Sequence, residues 1–323
     1  MRSHRNKRFT FSNSLLIIGL LFLYLPMIIM IIYSFNESRL VTVWAGFSTK
    51  WYGELFADTQ LLQAIGMSLE IAFWSSCMAV VLGTMAAFVM TRYRRFRGKT
   101  AFSSMITAPL VMPDVITGLS LLLLFVAMAN TIGWPAERGM LTIWIAHVTF
   151  CAAYATVVIS SRLREVDRSI EEAAMDLGAT PFKTFFQITL PGIAPALAAG
   201  WLLSFTLSLD DLVIASFVSG PGATTLPMVV FSSVRLGISP KINALATLII
   251  LAVSLAAFIT WWFMRRQETR RLQMINIKDY EADQMQLSYE PSADQTNTRR
   301  VTSTINVTPP KNCHSSDKHK TAI

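Results

Sequence analysis

Asp114, Asp210 and Asp211 stand inside long apolar runs, the setting in which a carboxylate is hardest to keep. At the centre of a membrane helix an acid costs roughly 2.5–3.5 kcal/mol on insertion scales, and such residues face a bundle interior or a water-filled path. Lys and Arg are absent from the centres of the same runs, so no basic residue there would neutralise the acids. Anions lining a path attract a cation, a diammonium above all, by replacing part of the hydration it gives up, and they repel cargo such as sulfate or phosphate. Asp114 has a second reading: Pro109 and Pro113 interrupt its run, and a carboxylate after such a break can cap the next helix. The two roles are compatible. Asp210 and Asp211 are adjacent and point about 100° apart on a helix, so at most one faces a narrow path squarely. Asp210 is the preferred candidate; the other would cap, pair or sit near a gate. Tyr154, Trp201 and Phe205 lie in neighbouring runs and offer ring faces to an ammonium, against the commoner roles of packing and interfacial belt. His147, alone in its run, reads as a hydrogen-bonded packing residue.

Little else in the chain points to chemistry. Gly98-Lys99-Thr100 resembles the end of a phosphate-binding loop, but that motif needs glycine five residues before Gly98, where Tyr93 stands, and a strand before the loop, where an apolar helix is expected. The chain is therefore expected to have no nucleotide site, and any energy from ATP must come through a partner. The three cysteines, Cys77, Cys151 and Cys313, show no pairwise spacing of a disulfide framework or metal site. No metal, cofactor or catalytic residue is expected.

The elements that must position the acids are membrane helices. Of 323 residues, 53% are hydrophobic and 15% charged, against roughly a quarter charged in soluble domains. Six runs reach the length of about 20 apolar residues that a bilayer requires: 14–34, 64–90, 101–129, 141–160, 196–218 and 243–264. The first is too long for a signal-peptide core and no small-residue cleavage site follows it, so it reads as retained. The net charge of +8 comes from basic clusters beside apolar runs, without aromatic interleaving, which excludes a nucleic-acid partner. Loops on one side, including the N-terminal tail, 91–100, 161–195 and the segment after the last span, hold 17 Lys and Arg, against 5 in the other loops. Both termini are thus expected in the cytoplasm. The organisation reads as a basic N-terminus 1–13, a six-span domain 14–265 with its core at 60–265, and a polar tail 266–323 expected to be disordered.

The 161–195 loop is then the largest cytoplasmic excursion between spans. Ser169 with Glu172 fits a capping box for a helix over 170–177; Gly178 would end it, and Thr180-Pro181 would open the next. Ile170, Ala173, Ala174 and Leu177 recur at helical spacing, giving one small, apolar face. Composition alone would make this an ordinary amphipathic connector. Its spacing says more: Glu172-Ala173-Ala174, three residues, Gly178, nine residues, Ile188, one residue, Leu190-Pro191. This resembles the signature of ABC-importer permeases, and the resemblance covers roughly residues 10–265. Trp201 to Met228 and Pro109 to Gly118 are similar to the polyamine branch, nearest to permeases of putrescine importers, with those of spermidine importers the close competitor.

The resemblance implies an all-α integral membrane protein of the type I ABC-importer permease fold, with six transmembrane helices and a cytoplasmic coupling helix. Glu172, Ala173, Ala174, Asp176, Gly178, Ile188, Leu190 and Pro191 would then form the segment that docks in a groove of an ATPase. It also implies a heterodimer with a second, homologous permease, two ATP-binding subunits, a periplasmic polyamine-binding protein, and residence in lipid in a bacterial inner membrane. Residues 223–236 are too apolar for a plain loop and suit either a short re-entrant or interfacial helix near the outer mouth or a packed connector. A proton-coupled secondary transporter could use Asp114 or Asp210 as a relay, but would usually show inverted repeats, and none is visible. A channel would need no docking elbow.

Overall fold

The structure is a computed structural model. It describes residues 3–39, 43–93, 96–236 and 240–256, with isolated positions at 258, 259, 262 and 265. Arg94, Arg95 and the tail 266–323 lie outside the described residues. Residues Met1–Ala252 form one compact unit and Val253–Ile323 a second. All regular structure among the described residues is helical, apart from one isolated bridge between Asn36 and Phe47.

The helices are α1 (Ser3–Tyr33), α2 (Lys50–Ala57), α3 (Thr59–Arg92), α4 (Lys99–Val111), α5 (Asp114–Ile132), α6 (Met140–Glu165), α7 (Arg168–Asp176), α8 (Pro181–Thr184), a π-turn (Phe185–Thr189), α9 (Leu190–Gly192), α10 (Ala194–Asp210), α11 (Val213–Val218) and α12 (Leu226–Leu236). A further helix, α13, covers Pro240–Ala256. Among the described residues, four helices are long and apolar enough to cross a membrane: α1 from Asn13, α3, α5 and α6. A fifth crossing results if α8–α9 and α10, bent by 69° about Ile193, count as one span. The described part of the last apolar run, α13, is shorter than these.

Two of the expected spans are broken. The run at 101–129 divides at Met112-Pro113 into α4 and α5, because Pro113 has no N–H to continue the ladder and forces Met112 into extended backbone. The run at 196–218 divides at Asp211-Leu212 into α10 and α11. No proline is involved there. The Asp211 carboxylate accepts the N–H groups of Ile214 and Ala215, at 3.3 and 2.7 Å, giving those donors an end to bond to instead of a continuing helix.

The bundle is built on α3, α6 and α10. Among lipid tails an apolar surface gains little from meeting another, so membrane helices join through close packing of small residues and polar contacts. α3 buries Ala72, Ser76, Ala79, Gly83 and Ala87 along one stripe, and α6 answers with Ala146, Ala153 and Ala155. Ser75 of α3 donates to Ser208 of α10 at 3.0 Å. α5 packs on α11, where Gly118 leaves no room for a side chain: a Cβ there would lie 2.8 Å from the Phe217 ring. α1 is exposed along its described apolar length, as suits a helix facing lipid or another subunit. Residues 223–236, expected as a short re-entrant or interfacial helix or a packed connector, contain α12, and the N–H of Leu226 at its start donates to Ser68 of α3 at 2.7 Å.

Candidate functional site

The two helix breaks meet. A cavity of about 300 Å³ is lined by Asp114, Asp210 and Asp211 together with Pro109, Tyr154, Phe150, Leu207 and residues 212–214. Asp114 is the first residue of α5, with Pro113 rather than Asp114 in the capping position and no side-chain cap bond there. The capping role considered for Asp114 is therefore not taken; its carboxylate is exposed beside the helix start, where a negative charge is favoured by the dipole. Asp210 ends α10 and is also exposed. At 1.5 Å per residue, the 17 residues of α10 set Asp210 about 25 Å from the helix start at Ala194. The cavity thus lies deep along the bundle.

Asp211 has a different situation. Besides the two N–H groups of α11, its Oδ2 lies 3.2 Å from Nε2 of His147, off the line of a hydrogen bond. Nδ1 of His147 is 2.7 Å from the Ser208 hydroxyl, which is bonded in turn to Ser75. His147 is 1% exposed. The apolar runs hold no Lys or Arg at their centres to partner these acids, yet His147 stands against the Asp211 carboxylate while it also packs and hydrogen-bonds as expected. Two carboxylates, Asp114 and Asp210, remain directed at the cavity without such an arrangement. Tyr154 lines it, with Phe150 edge-on at 6.5 Å between centroids. Trp201 and Phe205 do not line it. They stack on one another at 5.2 Å, and Trp201 also meets Phe73 edge-on and donates its Nε1–H toward Cys77 Sγ at 3.3 Å.

The second site candidate is the 161–195 segment. α7 starts two residues earlier than expected, because Asp167, rather than Ser169, caps it by accepting the Ser169 N–H at 2.9 Å. Those hydrogen bonds from Ser169 hold the Asp167 carboxyl below its ordinary range. The elbow forms where the sequence places it. Gly178 has φ +88, its N–H bonds Met175, and the Ala179 N–H bonds Ala174, at 2.9 and 3.0 Å: the paired bonds of a Schellman ending, which needs a left-handed residue. Thr180 caps α8 and Pro181 opens it. The chain then widens into the π-turn, with the Leu190 N–H reaching back to Phe185, which relieves the clash that Pro191 would make with an ordinary helical turn before it. The Leu190-Pro191 pair thus sets up the bend into α10.

Glu172, Ala173, Asp176 and Gly178 are exposed, Ala174, Ile188 and Leu190 half-buried, and Pro191 exposed. Leu177 and Phe182, flanking the elbow, are 90% and 74% exposed. The glutamate that the bundle holds is Glu171, not Glu172. Its Oε1 lies 2.5 Å from Arg92 Nη2 at the end of α3 and accepts from the Thr189 hydroxyl at 2.8 Å. Sequence reasoning missed this trio: Arg92 is one of five basic residues in the 91–100 stretch, and nothing local ties it to the Glu171-Glu172 pair in the 161–195 segment. Gly98-Lys99-Thr100 begins α4 directly after the α3 segment, with Lys99 reaching the Tyr93 carbonyl at 3.5 Å.

A family model for the binding-protein-dependent transport system inner membrane component matches residues 79–273. The chain belongs to that family. The matched stretch contains the α6–α10 bundle, the elbow and the three carboxylates. The permease is 69% identical over 261 residues to the putrescine transport system permease protein PotI of Escherichia coli strain K12, covering 81% of this chain and 93% of that one. It is 43% identical over 249 residues to the spermidine/putrescine transport system permease protein PotC of the same strain, covering 77% and 91%. In fold it resembles a chain of a bacterial ABC transporter involved in the import of the acidic polysaccharide alginate, with TM-score 0.62 at 16% identity, covering 82% of this chain and 98% of that one.

Proposed function

We propose that the permease forms, with a second homologous permease, the translocation path of an ATP-driven importer for a polyamine, putrescine first. The observation that carries this is the cavity at the two helix breaks, where Asp114 and Asp210 face open space and Asp211 is held by α11 and His147. Two available carboxylates match the two ammonium groups of a diamine, and Tyr154 and Phe150 offer ring faces for the same charge. The 69% identity to a putrescine permease supports the choice of substrate. Spermidine, with a further ammonium, is the competitor that the 43% relative suggests.

In this reading the chain has six spans, the last being the run that begins in α13, and both termini are cytoplasmic, as the Lys and Arg asymmetry of the loops requires. The 161–195 segment then faces the cytoplasm. Leu177 and Phe182 form an apolar knob on a rigid elbow, and Glu172 and Asp176 stand exposed beside it, a shape suited to a groove on an ATPase subunit. α12 and the Gly220-Pro221-Gly222 turn lie at the opposite mouth, where a periplasmic polyamine-binding protein would deliver substrate. Closure of the ATPase dimer moves the knobs, and the bundle exchanges an outward-open for an inward-open state because each binds the diamine differently. Hydrolysis occurs on the partner, and the permease itself makes and breaks no covalent bond.

The test is reconstitution of the full complex in liposomes with putrescine on the binding-protein side. Uptake is expected only with hydrolysable ATP, and competition by spermidine ranks the two substrates. Putrescine uptake that persists without hydrolysis would overturn the reading in favour of a channel or a proton-coupled carrier.

A further inference from the structure

The exposed knob can drive the bundle only if the segment carrying it is held to the helices it must move. By chain alone α7 is joined to α6 through Val166 and Asp167, both in extended backbone, and to α10 through the bend at Ile193. Both joints can flex. Opposite the knob, a third attachment bypasses them. Arg92, the last residue of α3, points its guanidinium at Glu171 of α7. The same carboxylate oxygen accepts from Thr189 in the π-turn, and the other terminal nitrogen of Arg92 reaches the Leu163 carbonyl near the end of α6 at 3.5 Å. Arg168, beside Glu171 on α7, donates to the Thr91 carbonyl, one of the last carbonyls of α3, which have no partner within the helix. The side chains of Arg92 and Glu171 are 10% and 13% exposed.

An exposed ion pair here would add little. A buried one is a costly choice, because both groups give up water and an apolar contact could hold the same surfaces as firmly. What an ion pair adds is direction: a charge-assisted bond fixes one geometry, and removing one partner leaves the other buried and uncompensated. We propose that Arg92 is a positioning residue for energy coupling: through Glu171 and Thr189 it pins the elbow to the end of α3, so that the push on Leu177 and Phe182 enters the α3–α6–α10 bundle instead of being absorbed at the two joints. This inference rests on the coupling role proposed above for the 161–195 segment. α3 is the one helix of that bundle not continuous with the elbow or flanking it, and it holds α10 through Ser75 and Ser208, two residues before Asp210. The pin therefore gives the knob a second route to Asp210.

The experiment uses the whole complex in liposomes and reads ATP hydrolysed per putrescine imported. The variants are Arg92→Glu, Glu171→Arg, both together, and the milder Glu171→Gln. Phe182→Cys, cross-linked to the ATPase, reports docking in each background. Each single reversal is expected to keep the cross-link and the hydrolysis rate while raising the ATP cost per putrescine about ten-fold, on the order of one tenfold step in coupling free energy. The double reversal should restore most of the coupling, since only a direct pair is rescued by exchange. Singles with unchanged stoichiometry, or a double no better than either single, overturn the pin. If the reversals fail to assemble, Glu171→Gln decides, and a ratio equal to that of the unaltered complex overturns the proposal. Absence of the Phe182 cross-link in the otherwise unaltered complex refutes instead the docking role of the elbow.

Discussion

Neutralising the cavity acids one at a time separates those that meet the substrate from the one that holds the fold. Asp114→Asn and Asp210→Asn keep the shape of each side chain and remove its charge. A carboxylate and an ammonium about 4 Å apart attract by about 1 kcal/mol in bulk water and about 4 kcal/mol at the effective dielectric of a protein surface. Both residues are exposed in an open cavity, so the lower half of that range applies. A loss of about 1–2 kcal/mol per acid lowers putrescine uptake roughly 5- to 30-fold. Because the two carboxylates line one cavity and would hold the two ends of one diamine, the effect of the double variant should depart from the product of the singles. Asp211→Asn should behave differently. It weakens the hold on the Ile214 and Ala215 N–H groups and removes the anion beside His147, so about 1 kcal/mol of stability is at stake, the usual worth of a cap. The assay is initial uptake into liposomes at fixed binding-protein concentration, with a melting temperature of the detergent-purified complex as control. Uptake unchanged in the Asp114→Asn, Asp210→Asn double variant refutes the reasoning. So does an Asp211→Asn variant with the largest uptake defect and an unmoved melting temperature, which would reverse the assignment of roles.

Gly118→Leu should cost about 1–3 kcal/mol through overpacking against Phe217 and should lower uptake together with the melting temperature, because it shifts the helix that begins at Asp114. Gly178→Pro cannot adopt φ +88 and loses the N–H that bonds Met175; ATP hydrolysis should continue while putrescine uptake falls, and a fully coupled variant would contradict the role of the elbow. Asp58 is bound by Lys241 at 2.9 Å, and that hydrogen bond, with the Leu61 N–H, holds its carboxyl below the ordinary value of 3.8. Because the folded value is the depressed one, the stabilisation is present above 3.8 and is lost as pH falls through the folded value. The melting temperature should therefore fall less between pH 5 and pH 3 in Asp58→Asn than in the unaltered protein, and equal slopes would refute the contribution.

What the sequence made legible was local. Gly178, Thr180 and Pro181 act on backbone within two or three residues of themselves, so the elbow could be placed from spacing alone, and Pro113 marked the break before Asp114 for the same reason. The break at Asp211 was not marked, because no proline or glycine causes it: a carboxylate in an apolar run can end one helix by serving the N–H groups of the next, and the sequence shows only that the acid is out of place. The choice between Glu171 and Glu172 lies further beyond local reading. The two point about 100° apart, and which turns inward depends on Arg92, 79 residues away. The signature spacing drew attention to Glu172, which is exposed and free to meet another subunit, and away from Glu171, which meets the bundle. In the proposed coupling role these two glutamates divide one task. An element that transmits force needs one face for the partner and one for its own helices, and adjacent residues on a short helix supply both. The same division appears at the cavity, where Asp210 is open and its neighbour Asp211 is tied to α11 and His147. In each pair, one acid fixes the geometry in which the other is presented. Charge removal at the fixing member should therefore be felt first in structure or coupling, and at the presented member in docking or transport.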